Sequence, residues 1–198
     1  MSENLDPNLL FSAYTQGIFP MAHPELDGEV YWYAPDPRAI LPVEDFHCPT
    51  RLRKTVDKKP FEIRYNTAFR EVMQACAAPR KIQKTTWISS GIIEAYCKLH
   101  ALGFAHSVEA WQGDALVGGL YGVSISGFFA GESMFFRETD ASKVCLVHLI
   151  ERMRERGMPL LDVQYSNPHL EQFGVIEIPR EEYEARLAAA LDLRVHFA

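Results

Sequence analysis

The sequence predicts an α+β fold, a mixed and mostly antiparallel sheet flanked by helices, with a small lobe ahead of it. Three stretches carry that expectation. Val117–Val123 and Gly127–Met134 are apolar, glycine-punctuated runs joined across Ser124–Gly127, the pattern of a β-hairpin turning near Ser126 and Gly127. Asp140–Arg156 then changes to helical spacing, with Val144, Leu146, Val147, Leu149, Ile150 and Met153 on or near one face and charges opposite. Leu160–Gln164 returns to a short strand. A right-handed crossover from the hairpin through the helix to this strand brings Glu132 and Ser133 close to Asp162 and Gln164. Polar groups converging at strand ends inside an apolar run make this the strongest candidate site in the chain.

The elements before and after it follow from local chemistry. Asp6–Gly17 reads as a short helix, with an N-cap aspartate, a proline at the first helical position and a closing glycine. Its stripe of Leu9, Leu10, Ala13 and Tyr14 reads as packing, and Ile18–Met21 as an exit into a loop. Glu29–Leu41 is strand-like on both sides of Ala34-Pro35-Asp36-Pro37-Arg38, a stiff connection presenting Trp32, Tyr33 and Arg38. Phe61–Tyr65 reads as a strand and Ala68–Ala78 as a helix burying Phe69, Val72, Met73 and Cys76. Lys84–Ser90 places an isolated Trp87 before a helix capped at Ser89 or Ser90 and ended by Gly103. Phe104–Trp111 and Ala115–Val123 are strands around a Gln112-Gly113-Asp114 turn, and Pro179–Leu191 is a last amphipathic helix.

Composition bounds the function classes. At 198 residues, 47% hydrophobic and 23% charged, the chain can bury a core of ordinary soluble type. No apolar run approaches the ~20 residues of a membrane helix, and the N-terminus lacks signal-peptide character, so the cytoplasm is the expected compartment. The four cysteines form no Cys-x-x-Cys pair and the seven histidines no His-x-x-x-His pair. Buried reduced thiols are therefore expected, with no metal and no disulfide framework. Net charge is −6, yet Pro49–Pro60 carries Arg51, Arg53, Lys54, Lys58 and Lys59 against one acid, Asp57. Such a run is either a solvated helix face or a phosphate-tracking patch. Division at about residue 60 separates a small N-terminal lobe (1–60), carrying this run, from a catalytic domain (61–198).

Three antiparallel strands, a crossover helix and a parallel strand are the wiring of a GNAT-like N-acyltransferase sheet. A CoA-dependent member carries a glycine-rich pyrophosphate loop between strand and helix. Here that junction is Phe136-Arg137-Glu138-Thr139-Asp140-Ala141-Ser142, without glycine and with two acids.

Ordered motifs identify a family. Ala13–Met21 (AYTQGIFPM), Trp32–Leu41 (WYAPDPRAIL), Thr85–Ile88 (TTWI), Ala105–Trp111 (AHSVEAW), Leu116–Val123 (LVGGLYGV), Gly131–Lys143 (GESMFFRETDASK), Leu160–Gln164 (LLDVQ) and His169–Tyr183 (HLEQFGVIEIPREEY) resemble the leucyl/phenylalanyl-tRNA–protein transferases from about Leu9 to Leu187. The resemblance implies an aminoacyltransferase that moves leucine, phenylalanine or methionine from aminoacyl-tRNA to the N-terminal α-amine of an acceptor protein, marking it for N-end-rule degradation. It implies catalytic roles for Asp162 and Gln164 and an amine-positioning role for Glu132. It implies an aminoacyl pocket of Leu120, Met134, Leu149 and Leu161, with Trp87 near the tRNA terminus and Asn167 at a polar position. The run Arg51, Arg53, Lys54, Lys58 and Lys59 corresponds to the tRNA-receiving patch. The partners implied are Leu-tRNA or Phe-tRNA and an acceptor N-terminus, without cofactor or membrane, and the protein is expected to be a monomer. Acceptors beginning with Lys or Arg are expected; Asp or Glu acceptors are the alternative within the family.

Met21 and Tyr33 stand where family members carry tryptophan, and Phe136 replaces a small polar residue. The leading segment of longer members is absent, which is expected to remove strands from the small lobe. Three other readings stay open. A CoA-dependent N-acyltransferase would need the missing loop. A serine hydrolase at Gly131-Glu132-Ser133-Met134-Phe135 lacks the second glycine of the nucleophile elbow. A non-catalytic tRNA-binding module would bind through Arg51–Lys59 and make no product. An aminoacyl ester is already activated toward amines, so the expected chemistry asks for a free amine, oxyanion donors and a selective pocket. In that scheme Asp162 hydrogen-bonds Gln164, and the Gln164 carbonyl guides the departing proton.

Overall fold

A computed structural model describes residues 5–26, 29–79 and 85–198. The first four residues of the expected lobe, and Lys84 of the Lys84–Ser90 segment, lie outside them. In chain order the elements are α1 (Pro7–Tyr14), β1 (Phe19–His23), β2 (Glu29–Tyr33), β3 (Arg38–Pro42), α2 (Thr50–Asp57), β4 (Glu62–Tyr65), α3 (Phe69–Ala77), α4 (Ser90–Ala101), β5 (Ala105–Gln112), β6 (Ala115–Ile125), β7 (Phe128–Phe136), α5 (Ala141–Arg156), β8 (Leu160–Gln164), α6 (Pro168–Glu171), β9 (Ile176–Ile178) and α7 (Arg180–Leu191). β1 and β2 form their own antiparallel pair, and the remaining strands form one sheet in the order β4-β5-β6-β7-β8-β3-β9. Among the described residues, β7 and β8 are the one parallel pair in that sheet, joined by α5 as the crossover. The α+β fold read from the sequence is the one observed.

Local signals act where they were read. Asp6 caps α1, its Oδ1 accepting the Asn8 backbone N–H at 2.8 Å, and Ser89 caps α4. Gly103 after α4 has φ +83°. One reading changes. Ile18–Met21 is not a loop: Phe19 and Ala22 are buried and β1 pairs with β2. Arg38–Leu41 is buried, and β3 lies in the seven-stranded sheet between β8 and β9. The short α6 and β9 carry too few residues for periodicity to show them.

The core has two layers. α1, α3, α4 and α7 cover one face with Leu10, Val72, Ile92, Tyr96 and Leu187, while α2 and α5 cover the other with Leu52, Val56, Val144 and Leu149. β6, paired between β5 and β7, sends Tyr121 and Val123 to the first layer and Val117 and Leu120 to the second. Gly118 lets α5 settle directly on β6, since a Cβ there would lie 2.5 Å from Ala141 Cβ. Gly118→Ala is expected to push the start of α5 off the sheet and cost about 1–3 kcal/mol, read as a lower thermal midpoint.

Candidate active site

The site begins where the sheet comes apart. The parallel ladder pairs Phe128 with Leu160, Phe129 with Leu161 and Ala130 with Asp162, and then ends. Beyond that point β7 continues against β6, while β8 stays with β3. Glu132 and Gln164, each two residues past the last pair, flank the opening. Tyr121 opposes Ser133 and Gly122 opposes Gly131, which leaves Glu132 as the extra residue of a β-bulge. A bulge breaks the strict alternation of side chains and re-aims one of them. Here the Glu132 carboxylate reaches Tyr14 of α1 and Gln164 of β8.

Glu132 Oε1 accepts the Tyr14 hydroxyl at 2.6 Å and the Gln164 side-chain amide at 3.1 Å. Tyr14 spends its one proton on Glu132, so the Tyr96 hydroxyl donates in the short Tyr14–Tyr96 bond. Glu132 Oε2 and the Tyr121 hydroxyl are buried with no partner among the described residues. An orphaned carboxylate oxygen is costly. Burial pushes the Glu132 carboxyl up to about 7, against the bonds from Tyr14 and Gln164, which favour its charged form. Burial and the nearby Glu132 charge hold the hydroxyls of Tyr14, Tyr96 and Tyr121 well above the usual tyrosine range, so all three keep their protons.

Of these groups Glu132, Gln164 and Tyr121 line a cavity of about 500 Å³. Leu120, Met134, Leu149 and Leu161 line it, so the expected pocket residues meet in one place; Trp87 and Asn167 line it too. The Asn167 side-chain oxygen also caps α6, accepting the His169 and Leu170 backbone N–H groups at 3.0 and 3.1 Å. Glu132 and Gln164 line the same cavity; Asp162 does not.

Asp162 is fully buried and engaged on both oxygens. Oδ1 accepts Arg38 Nε at 2.9 Å and the Gln164 backbone N–H at 2.8 Å. Oδ2 accepts Arg38 Nη2 at 2.6 Å and the Tyr183 hydroxyl at 2.9 Å. The expected Asp162–Gln164 contact therefore exists, but through the backbone. The Gln164 side chain turns to Glu132 instead. With four donors on it and no face in the cavity, Asp162 is not placed to take a proton from substrate.

The basic run lies apart from the cavity. Arg51, Lys54, Lys58 and Lys59 are exposed on and just after α2, and Arg53 is half-buried with Nη1 3.1 Å from Glu151 of α5. At the start of α5, Asp140 sits at φ +63° with no side-chain cap, and Glu138 is close by in the chain. Two acids there oppose a pyrophosphate. Among the described residues, no group of three or more His, Cys, Asp or Glu could hold a metal ion.

Sequence reading treated Tyr14 as packing and left Tyr96 and Tyr121 unremarked. Each sits on an apolar face at ordinary spacing, so nothing local separates it from a core aromatic. Arg38, read from the sequence as presented by the stiff connection, is instead buried and paired with Asp162.

A family model described as leucyl/phenylalanyl-tRNA protein transferase matches residues 40–188, and one for the N-terminal domain of that transferase matches residues 3–36. A protein of that name from Herpetosiphon aurantiacus is 53% identical over 198 residues, the whole of both chains. Another from Hyphomonas neptunium is 51% identical over 197 residues, covering 100% of this chain and 76% of its own. A solved structure of L-PGS from Bacillus licheniformis aligns at 13% identity and TM-score 0.46, over 81% of this chain and 57% of that one, too distant to carry an argument. With family models matching residues 3–36 and 40–188, and about half of all positions identical to relatives across the whole of this chain, the chain belongs to the leucyl/phenylalanyl-tRNA–protein transferase family and is an aminoacyltransferase.

Proposed function

We propose that this enzyme, a cytoplasmic monomer, transfers leucine, phenylalanine or methionine from aminoacyl-tRNA to the N-terminal α-amine of proteins beginning with Lys or Arg. The tagged proteins then enter N-end-rule degradation. One observation carries the reading: Glu132 lines a mostly apolar cavity, and one of its carboxylate oxygens is buried with no partner among the described residues. That is a seat for an amine beside a seat for an apolar side chain. Leu120, Met134, Leu149 and Leu161 receive the aminoacyl side chain, a burial contributing about 1.5–3 kcal/mol. Trp87 and Asn167 border the path of the tRNA terminus.

An α-amine has a pKa of ~7.7–8.0, so a carboxylate at about 7 is nearly matched to accept its proton. The free amine attacks the ester carbonyl, forming the C–N bond. Collapse of the tetrahedral intermediate breaks the C–O bond, and the proton lost by the amine ends on the released ribose hydroxyl. Gln164, whose amide N–H donates to Glu132, leaves its carbonyl oxygen to orient the attacking N–H. The acids at the start of α5 disfavour a CoA-dependent reading.

Transfer of labelled leucine from Leu-tRNA to peptides beginning with Lys, Arg, Asp or Glu tests the proposal. Label on Lys and Arg peptides is expected. Label confined to Asp and Glu peptides would reassign the acceptor class, and label on none would overturn the transfer reading. The tRNA is proposed to dock on Arg51, Lys54, Lys58 and Lys59. Arg51→Glu with Lys54→Glu is expected to weaken Leu-tRNA binding and to lower the slope of log K against log salt by about 1 per lost phosphate contact. Arg53 is left in place because it already pairs with Glu151.

A further inference from the structure

We infer that Arg38 is a positioning residue for the reaction, its single guanidinium setting both side chains that hydrogen-bond Glu132. This rests on the reading of Glu132 and Gln164 given above. Arg38 is 2% exposed, and its guanidinium carbon lies 4.9 Å from the Phe19 ring centroid and 4.5 Å from that of Tyr183. Two chains of contacts leave it and meet again at Glu132.

Along the first, Nη1 donates to the Gly17 carbonyl at 2.9 Å, and the Gly17 N–H donates to the Tyr14 carbonyl at 3.1 Å. That fixes the end of α1 from which the Tyr14 hydroxyl reaches Glu132 Oε1. Gly17 has φ +73°, and a Cβ there would lie 2.7 Å from the Tyr183 ring, so the turn accepts no side chain. Along the second, Nε and Nη2 grip Asp162, and Asp162 Oδ1 accepts the Gln164 backbone N–H. Gln164 has φ +68°, a left-handed conformation that a glutamine seldom adopts and that the surroundings must hold. In that conformation its side-chain amide turns back across the opening to Glu132. Asp162 is then the clamp on a strained residue, and Arg38 is what keeps the clamp in place.

The test reads Glu132 directly. Its carboxyl carbon is titrated by ¹³C NMR in protein labelled at glutamate, with the signal assigned by its loss in Glu132→Gln. The groups facing it are Tyr14 from α1, Tyr96 from α4, Tyr121 from β6, Arg38 from β3, and Gln164 and Asp162 from β8. Arg38→Lys keeps the charge and loses the fork. Tyr183→Phe keeps Arg38 and removes one of the four donors to Asp162. Loosening the donors to Oε1 raises the Glu132 midpoint, by about one pH unit in Arg38→Lys and less in Tyr183→Phe. Leucine transfer in the same variants should lose kcat about tenfold or more, with KM for Leu-tRNA unchanged. A Glu132 midpoint unmoved in every variant that folds overturns the inference. An idle wild-type enzyme in the transfer assay would instead sink the functional reading, leaving the titration to judge Arg38 by itself.

Discussion

Glu132→Gln is expected to fold and to transfer leucine about 10²–10³-fold more slowly, the loss associated with removing an acid–base group or an aimed charge. Glutamine keeps the shape and can still accept from Tyr14. What it loses is the negative charge for the amine and the ability to take its proton. The pH dependence adds a sign. Folding raises the Glu132 carboxyl from the ordinary 4.5 to about 7, so the folded state holds this proton more tightly than the unfolded chain. Stability from this group is full below about 4.5 and is lost as pH rises through about 7. The wild type should therefore lose thermal stability relative to Glu132→Gln across that window. Transfer by the wild type should rise over the upper part of the same window as the carboxylate forms. Parallel melting curves for the two proteins from pH 4 to 8 would show that Glu132 is not the buried carboxyl described here.

Asp162→Ala is expected to fail chiefly by destabilisation. Removing one member of a buried ion pair leaves Arg38 charged and unpaired in the core, at about 3–5 kcal/mol. For a domain of this size that corresponds to a fall in thermal midpoint of roughly 10 °C. It is also a large share of a net stability of about 5–15 kcal/mol. Replacing both partners, as in Arg38→Met with Asp162→Leu, should recover most of that stability, since well-packed apolar pairs replace buried ion pairs at little cost. Transfer activity should stay low in the recovered protein, because the Asp162 carboxylate no longer holds the Gln164 backbone N–H in its left-handed conformation. An Asp162→Ala protein as stable as the wild type would refute the clamp. A double variant with wild-type transfer would refute its connection to the reaction.

Residue spacing determined much of the architecture. The β6–β7 hairpin, the α5 crossover and the return through β8 are all written in short-range periodicity, with caps at Asp6, Ser89 and Gly103. The chirality of crossovers then sufficed to bring Glu132 toward Gln164, so their meeting was legible. Ordered motifs supplied the family. Other facts were decided only when distant segments met. Tyr14 lies 118 residues from Glu132, and Arg38 lies 124 from Asp162. No pattern in a single element marks such pairs, because a tyrosine on an apolar face looks the same whether or not a carboxylate waits behind it. The insertion of β3 between β8 and β9 has the same character, since it joins segments far apart in the chain. Short-range order follows from backbone geometry and side-chain alternation, which any stretch of chain carries within itself. The role of Asp162 does not, because whether a carboxylate faces substrate or an arginine is set by what folds against it.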